Sequence, residues 1–515
     1  AQAGNPFKRQ ARSLAERRTA ENFRYDVVAP RLELTSSAAT PENRWIPVTP
    51  GGDLALVLGM LRYIIDNKRY NEAYLTVPGP DAMKARGAVS YCNATHLFIA
   101  DIRHPLYGQP LTEALLTGKA PGQEEKTPEN AFIVKAKKGK LSAVREVTEA
   151  ELFVDETVKL ADGTAVRVKS AMSLLRESTR EKSLREFAEL AGTTHNQIIE
   201  LAKEFTSHGT RASAITHGGT MHSTGFYTAW AILLLNVMIG NMNKAGGMCM
   251  DGGKFRDFAP GPRYNLAGFK DMVKPKGTNL ARSKRAYEAS SEYRRRVEAW
   301  YPFVGGQLTE MITSALQGYP YPLKCWISHM TNPLYGITGF HAVRESERLK
   351  DPKVLPLFIA CDAFMNETTA LADYIVPDTH TYESWGFSTS WAGVPSKAST
   401  ARWPVVESPN AKTATGETVC METFIIAVAK AMGLPGFGEN AITDNEKKPH
   451  PLNTPEDFFL RAAANVAFDG KAPVADALEE DCRLTGVNRL LPALRKTLRA
   501  DEVLKAANVY AKGGR

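Results

Sequence analysis

None of the six cysteines in this 515-residue chain stands in a C-x-x-C pair. They lie at Cys92, Cys249, Cys325, Cys361, Cys420 and Cys482, a spacing that excludes a zinc-finger or ferredoxin-like cluster signature. An even count in a chain of this size does not imply disulfides, and mostly buried thiols are expected. Long apolar runs are lacking too. The longest, Ala229–Ile239, is broken by Asn236 and falls well short of the roughly 20 residues of a membrane-spanning helix. There is no initiator Met and no charged-then-apolar leader, so the chain is expected to be a piece of something longer. G-x-G-x-x-G is absent, and with it the standard nicotinamide-dinucleotide fingerprint. No repeat of 20–50 residues is visible. The net charge of +8 is not gathered into a Lys/Arg block, so no nucleic-acid partner is expected. A dispersed positive charge suits an anionic small molecule, or simply a solvated basic surface.

What is present is a globular composition, 43% hydrophobic and 23% charged, in a chain too long for one ordinary core. The first 70 residues predict turn, helix, strand, loop, strand, loop, helix. The turn is Asn5-Pro6. The strands are Tyr25–Ala29, ending in Pro30-Arg31, and Trp45–Val48, ending in the loop Pro50-Gly51-Gly52-Asp53. The helix Leu54–Asp66 is apolar at Leu54, Leu58, Leu61 and Ile65. This is a doubly wound α/β pattern with polar loops on one side. Further on, Val154–Lys169 predicts a hairpin turning at Asp162-Gly163, and Thr194 an N-cap for the helix Asn196–Phe205. Ala212–Thr216 predicts a strand leading into His217-Gly218-Gly219. The helix Phe226–Ile239 runs into five glycines between Gly240 and Gly253. These imply backbone passing close to a ligand or another segment, or a set of helix caps and turns. Cys325–His329 predicts a strand ending at Met330-Thr331-Asn332-Pro333.

The stretch Ile359–Phe387 carries the densest pattern. A buried strand ends at Cys361-Asp362. A helical turn follows, then a second strand, Tyr374–Val376, ending at Pro377-Asp378-Thr379. Ligands of open α/β sheets bind beyond the carboxyl ends of strands. Asp362 and Asp378 stand at two such ends. Each suits a ribose or guanine edge as an acceptor, and each equally suits the capping of a turn or helix. Taken together, these polar loops predict a long cleft between two α/β domains that holds an extended ligand.

G-N-P, a strand ending in P-R, W-I-P-V-x-P-G-x-D-x-A-L and the run IACDAFMNETTALADYIVPDTHTYE resemble the molybdopterin oxidoreductases of the dimethylsulfoxide reductase family. Further runs, GNPFKRQARSLAERR, HGGTMHSTGFY and YPYPLKCWISHMTNPLYG among them, are similar to the tetrathionate-reducing branch of that family. The resemblance implies molybdenum held by two molybdopterin guanine dinucleotides and two doubly wound, Rossmann-like domains. One would span residues 1–250 and bind the first dinucleotide. The other would span residues 251–515 and bind the second, with an irregular β segment near residues 386–408. By matching position, Asn5, Pro6, Pro30, Arg31, Gly51, Gly52 and Asp53 would hold the first guanosine. His217, Gly218, Gly219 and Met221 would approach a pterin or phosphate, and Gly253 would lie beside the metal. Asn332, Pro333, Cys361, Asp362, Asp378 and Thr379 would hold the second dinucleotide.

Departures from the family pattern are equally specific. No four-cysteine motif is present, so a 4Fe-4S cluster is expected only in an N-terminal region upstream. The protein ligand to the metal is expected upstream as well, so none of the six cysteines is a metal ligand. A C-terminal β-barrel is expected downstream. The resemblance implies two-electron reduction of tetrathionate to thiosulfate, or of another anion such as arsenate, thiosulfate or polysulfide. A cofactor-binding fragment without activity of its own is the other reading. Lys254 is the first candidate for a cation near the substrate, ahead of Arg256 and Arg263. His222 and His380 are candidate proton relays. For all five, surface charge or a hydrogen-bonded structural role competes. An iron–sulfur electron-transfer subunit, a membrane anchor subunit, and a periplasmic location are implied by the family alone.

Overall fold

The computed structural model describes residues 17, 20, 22–30, 44–118, 131–137, 139–216, 225–250, 260–269, 271, 308–318, 321–337, 345–389 and 398–515. Its fold is mixed α/β, in two compact units: Ala1–Asp251 with Trp391–Lys397, and Gly252–Ser390 with Ala398–Arg515. No closed barrel occurs among the described residues.

In the first unit β1 (Asp26–Pro30) and β2 (Arg44–Val48) pair in parallel, from Asp26 opposite Arg44 to Pro30 opposite Val48. The register is fixed by charge as well as by backbone. The Arg44 guanidinium donates to both Asp26 carboxylate oxygens, at 3.1 and 2.8 Å, a bidentate geometry that only one alignment allows. The chain then turns into α1 (Asp53–Asp66), which buries Leu56, Val57, Met60, Leu61, Ile64 and Ile65. A second layer follows. Strand β3 (Leu97–Ile99), the hairpin β4 (Ile133–Lys135) and β5 (Leu141–Ala143), and the hairpin β6 (Asp155–Lys159) and β7 (Ala165–Ser170) are all antiparallel. The expected turn at Asp162-Gly163 is present, with Gly163 at φ +90°. Helices α2 (Ala171–Thr179), α3 (Leu184–Ala191), α4 (His195–Phe205) and α5 (Gly225–Ile239) complete the unit. Of these, α3, α4 and α5 close over α1 in one apolar cluster. Thr194 caps α4, its hydroxyl accepting from Gln197 N at 3.2 Å.

Residues 212–216 form no strand, contrary to the sequence pattern. Their backbone partner is a side chain. Asn236, buried on α5, accepts from Ala214 N (2.9 Å) and donates to Ala214 O (2.8 Å). Asn241 then donates to Ala212 O and to the Asn236 amide oxygen. Two asparagines thus stand where a neighbouring strand would be. The same arrangement explains one of the glycines: a Cβ on Gly247 would lie 2.1 Å from Asn241 O. The close approach inferred there is to the chain's own backbone.

In the second unit, β8 (Tyr264–Asn265) and α6 (Leu308–Leu316) precede β9 (Trp326–His329). Helix α7 (Glu345–Lys350), β10 (Phe358–Asp362) and β11 (Tyr374–Pro377) follow. Strands β9, β10 and β11 form a parallel sheet with β10 at its centre. Trp326 stacks on Phe358 at 4.4 Å between ring centroids, and the start of β10 is pinned by Phe358 N donating to Asp373 (2.7 Å). The irregular segment near 386–408 contains β12 (Gly386–Thr389) and β13 (Ser399–Arg402), paired antiparallel. Then come α8 (Met421–Ala431), β14 (Gly438–Asp444), β15 (Pro449–Leu452), α9 (Pro455–Phe468), α10 (Glu479–Thr485), α11 (Leu491–Thr497) and α12 (Ala500–Ala511). Strand β14 pairs with both β15 and β8, and α9 to α12 share the core of this region.

Candidate functional site

Each unit presents an acid after a parallel strand, at its carboxyl end in the second unit and across a short loop in the first. In the first, β2 ends at Val48 and the loop to α1 holds Gly51, Gly52 and Asp53. Gly51 takes φ +82° with open space around it. Gly52 is required for another reason. A Cβ there would lie 2.9 Å from Ala191 Cα and Leu190 O, and Thr49 N donates to Ala191 O. The loop is therefore seated on the end of α3. Gly52 provides no side-chain cap to α1, and Asp53 is the first residue of that helix. A helix N-terminus without a side-chain cap suits an anionic group, and a half-exposed carboxylate suits N–H or hydroxyl donors. Pro30 ends β1 opposite Val48.

In the second unit three strand ends meet along one edge of the sheet. His329 closes β9 opposite Cys361, and Asp362 closes β10 opposite Pro377. Backbone bonds carry the edge onward: Met330 N donates to Cys361 O and Asp378 N to Asp362 O. Asp362 is half-buried. It accepts from Phe364 N and from the Asn366 amide, both at 3.1 Å, an Asx-type turn that still leaves acceptor capacity on two carboxylate oxygens. Asn332 is engaged by neighbours: it donates to Glu367 (2.5 Å) and accepts from Thr368 (2.8 Å). Pro333 is buried at the start of the short helix Pro333–Gly336.

Asp378 is buried and heavily used. Its Oδ1 accepts from Thr379 N (2.8 Å) and from Met421 N (3.1 Å), the first residue of α8. Its Oδ2 lies 2.7 Å from His329 Nε2. Thr379 is buried beside it. Ligating atoms of Asp378, Cys420 and Glu422 lie within 4.8 Å of one another. Burial pushes the Cys420 thiol up to about 11 and the Cys361 thiol up to about 12. Both are therefore neutral thiols at physiological pH, suited to packing rather than to thiolate chemistry. The six cysteines divide evenly: Cys361, Cys420 and Cys482 are buried, while Cys92 and Cys249 are half-buried and Cys325 is exposed.

Asn5, Pro6, Arg31, His217, Gly218, Gly219, Met221, His222, Gly253, Lys254 and Arg256 lie outside the described residues. Arg263, a candidate substrate cation, is committed elsewhere. It donates to Glu502 at 2.5 Å and to Asp501 at 2.8 Å, and its guanidinium lies over the Phe468 ring. His380 is exposed, and its backbone N donates to Glu383. His329, which the sequence pattern did not single out, is brought against Asp378. Its only signal was its place as the last residue of a strand followed by Met330-Thr331-Asn332-Pro333.

These groups fit a cofactor that carries N–H or hydroxyl donors and an anionic arm. Asp362 at the end of β10 and Asp53 at the start of α1 can accept from N–H and hydroxyl donors, and the start of α1 suits an anionic group. The family model described as molybdopterin oxidoreductase matches residues 5–411. A tetrathionate reductase subunit of Salmonella typhimurium is 55% identical, over 100% of this chain and 51% of the relative. A selenate reductase subunit of Mesobacillus selenatarsenatis is 31% identical, over 95% of this chain and 47% of the relative. The corresponding tetrathionate reductase subunit of Archaeoglobus fulgidus is 30% identical, over 83% and 38%. The chain spans about half the length of the curated relatives it matches.

Proposed function

The chain belongs to the molybdopterin oxidoreductase family, and from that membership we propose that it forms part of the catalytic subunit of a molybdenum-dependent tetrathionate reductase. The observation that carries this reading is the 55% identity along the whole chain to the Salmonella tetrathionate reductase subunit. Tetrathionate is a dianion. Two electrons added to its central S–S bond release two thiosulfates, and no proton is consumed. When bound, a molybdenum centre supplies two-electron redox chemistry. The chain's own contribution is to hold the dinucleotide arms that carry the metal. Asp53, with Gly51 and Gly52, would take one guanosine. Asp362, with the turn at Asn332-Pro333, would take the other. Asp378 and Thr379 would flank that second loop, with Asp378 N donating to Asp362 O. Lys254 is assigned here to anion steering, with the family resemblance as its support; His222 receives no proton-relay role in this reaction, which consumes no proton. An iron–sulfur electron-transfer subunit, a membrane anchor and a periplasmic location belong to the same proposal, and the family resemblance is their support.

A selenate-reducing relative at 31% identity defines the competing reading within the family. The test is oxidation of reduced viologen by the purified subunit that contains this chain, with tetrathionate, selenate, arsenate and thiosulfate offered separately. Tetrathionate is expected to give the highest kcat/KM by at least about tenfold, a discrimination worth ~1.4 kcal/mol in the transition state. A selenate or arsenate preference overturns the substrate assignment. Turnover of none of the four, with guanine nucleotide bound, supports the cofactor-binding fragment.

A further inference from the structure

We propose that His329 is an anion-binding residue, oriented by Asp378 to present its Nδ1 to a polyoxyanion beyond the carboxyl ends of β9, β10 and β11. The geometry fixes the tautomer. Asp378 Oδ1 accepts from two backbone amides, Thr379 N and Met421 N, which hold the carboxylate in place from the loop after β11 and from α8. Its Oδ2 meets His329 Nε2 at 2.7 Å, so Nε2 carries the hydrogen and Nδ1 is the nitrogen left for a ligand. The burial is graded in the same sense. The Asp378 side chain is 7% exposed and that of His329 is 46% exposed. A buried carboxylate therefore steers a half-exposed imidazole at the place where ligands of parallel sheets bind.

An Nδ1 that carries a proton donates to an anion as a charge-assisted hydrogen bond. The other titratable groups around the pair are Cys361 and Asp362 on β10 and Cys420 and Glu422 at the start of α8. The two thiols are neutral, as described above, so they add no charge near neutrality. Asp378 is a positioning residue here and His329 the binding one. Two sources share the ligand chemistry: the diphosphate of the dinucleotide and a sulfur oxyanion substrate. Only the naming of these two sources rests on the proposed function; the binding itself does not.

The experiment is calorimetric titration of the full chain, produced without cofactor, with inorganic diphosphate and separately with thiosulfate, at pH 6 and pH 8. Wild type is expected to bind at least one of them more tightly at pH 6. His329→Gln keeps a donor for Asp378 but cannot take the charge. It is expected to lose about tenfold or more in affinity at pH 6 and to keep only the pH dependence of the anion's own titration. His329→Arg keeps a fixed cation, and is expected to retain binding with no pH dependence beyond that of the anion's own titration, which serves should the Gln variant fail to fold. A loss confined to diphosphate assigns the site to the cofactor, and one confined to thiosulfate assigns it to substrate. Wild-type affinity in His329→Gln for both anions, or wild-type pH dependence in His329→Arg, overturns the proposal. Because binding is read without turnover, this result stands apart from whether tetrathionate is the substrate.

Discussion

Glu502 has no solvent exposure and is met by four donors: Arg263 Nε at 2.5 Å, Tyr264 Oη at 2.6 Å, and Arg499 through its backbone N at 3.0 Å and its Nε at 3.1 Å. Burial, then the bond to Glu502, pushes the Tyr264 phenol well up, so the tyrosine is a donor throughout the physiological range. Removing one member of such a network leaves the others buried without a partner. Glu502→Ala is expected to cost about 3–5 kcal/mol, seen as a fall in the urea midpoint of the second unit. A change under about 1 kcal/mol contradicts the account of Arg263 as structural. The cysteines give a chemical check at the same scale. Under native conditions iodoacetamide is expected to modify Cys325 first and to leave Cys361, Cys420 and Cys482 unmodified until the protein is unfolded. Peptide mapping by mass spectrometry reads the order, and early labelling of Cys361 contradicts its burial. The role of Arg263 is not legible in sequence. Arg263 reads as a mobile cation until Glu502, more than two hundred residues away, is placed beside it.

At the scale of elements, the parallel strands were legible because each is a short apolar run closed by a polar residue. The helix α4 was legible because Thr194 is a strong cap. Two kinds of element were not. The segment 212–216 has a strand's composition, but its hydrogen bonds go to Asn236 and Asn241, a long-range replacement that no local pattern reports. Helices α12 and α9 contribute Ala506, Ala507, Ala463, Ala464 and Ala467 to one buried cluster. A small-residue interface of that kind gives little hydrophobic contrast, and its cap uses Arg499, an atypical residue for the position. Asn236→Ala is expected to destabilise the first unit by about 3 kcal/mol or more, since it strips buried bonds from Ala214 N, Ala214 O and Asn241. Thermal unfolding checks it. An unchanged midpoint contradicts the role given to the asparagine pair.

For the whole molecule, the fold class and the strand-end acids could be read from the sequence, and the family from its motifs. The division of labour among the acids could not. Asp362 and Asp378 look equivalent as residues, each following a strand of the same sheet. The structure separates them: Asp362 keeps acceptor capacity at a half-exposed turn, while Asp378 is spent on Thr379, Met421 and His329. The central claim is that the chain holds two guanine dinucleotides through acids such as Asp53 and Asp362. It is tested most directly by counting guanosine monophosphate released on acid hydrolysis of the purified subunit, relative to molybdenum. A ratio near two is expected from the wild type, as is loss of both nucleotide and metal in Asp362→Ala with the fold intact. No guanine in the wild-type subunit, or a ratio unaltered by loss of Asp53 and Asp362 together, contradicts it.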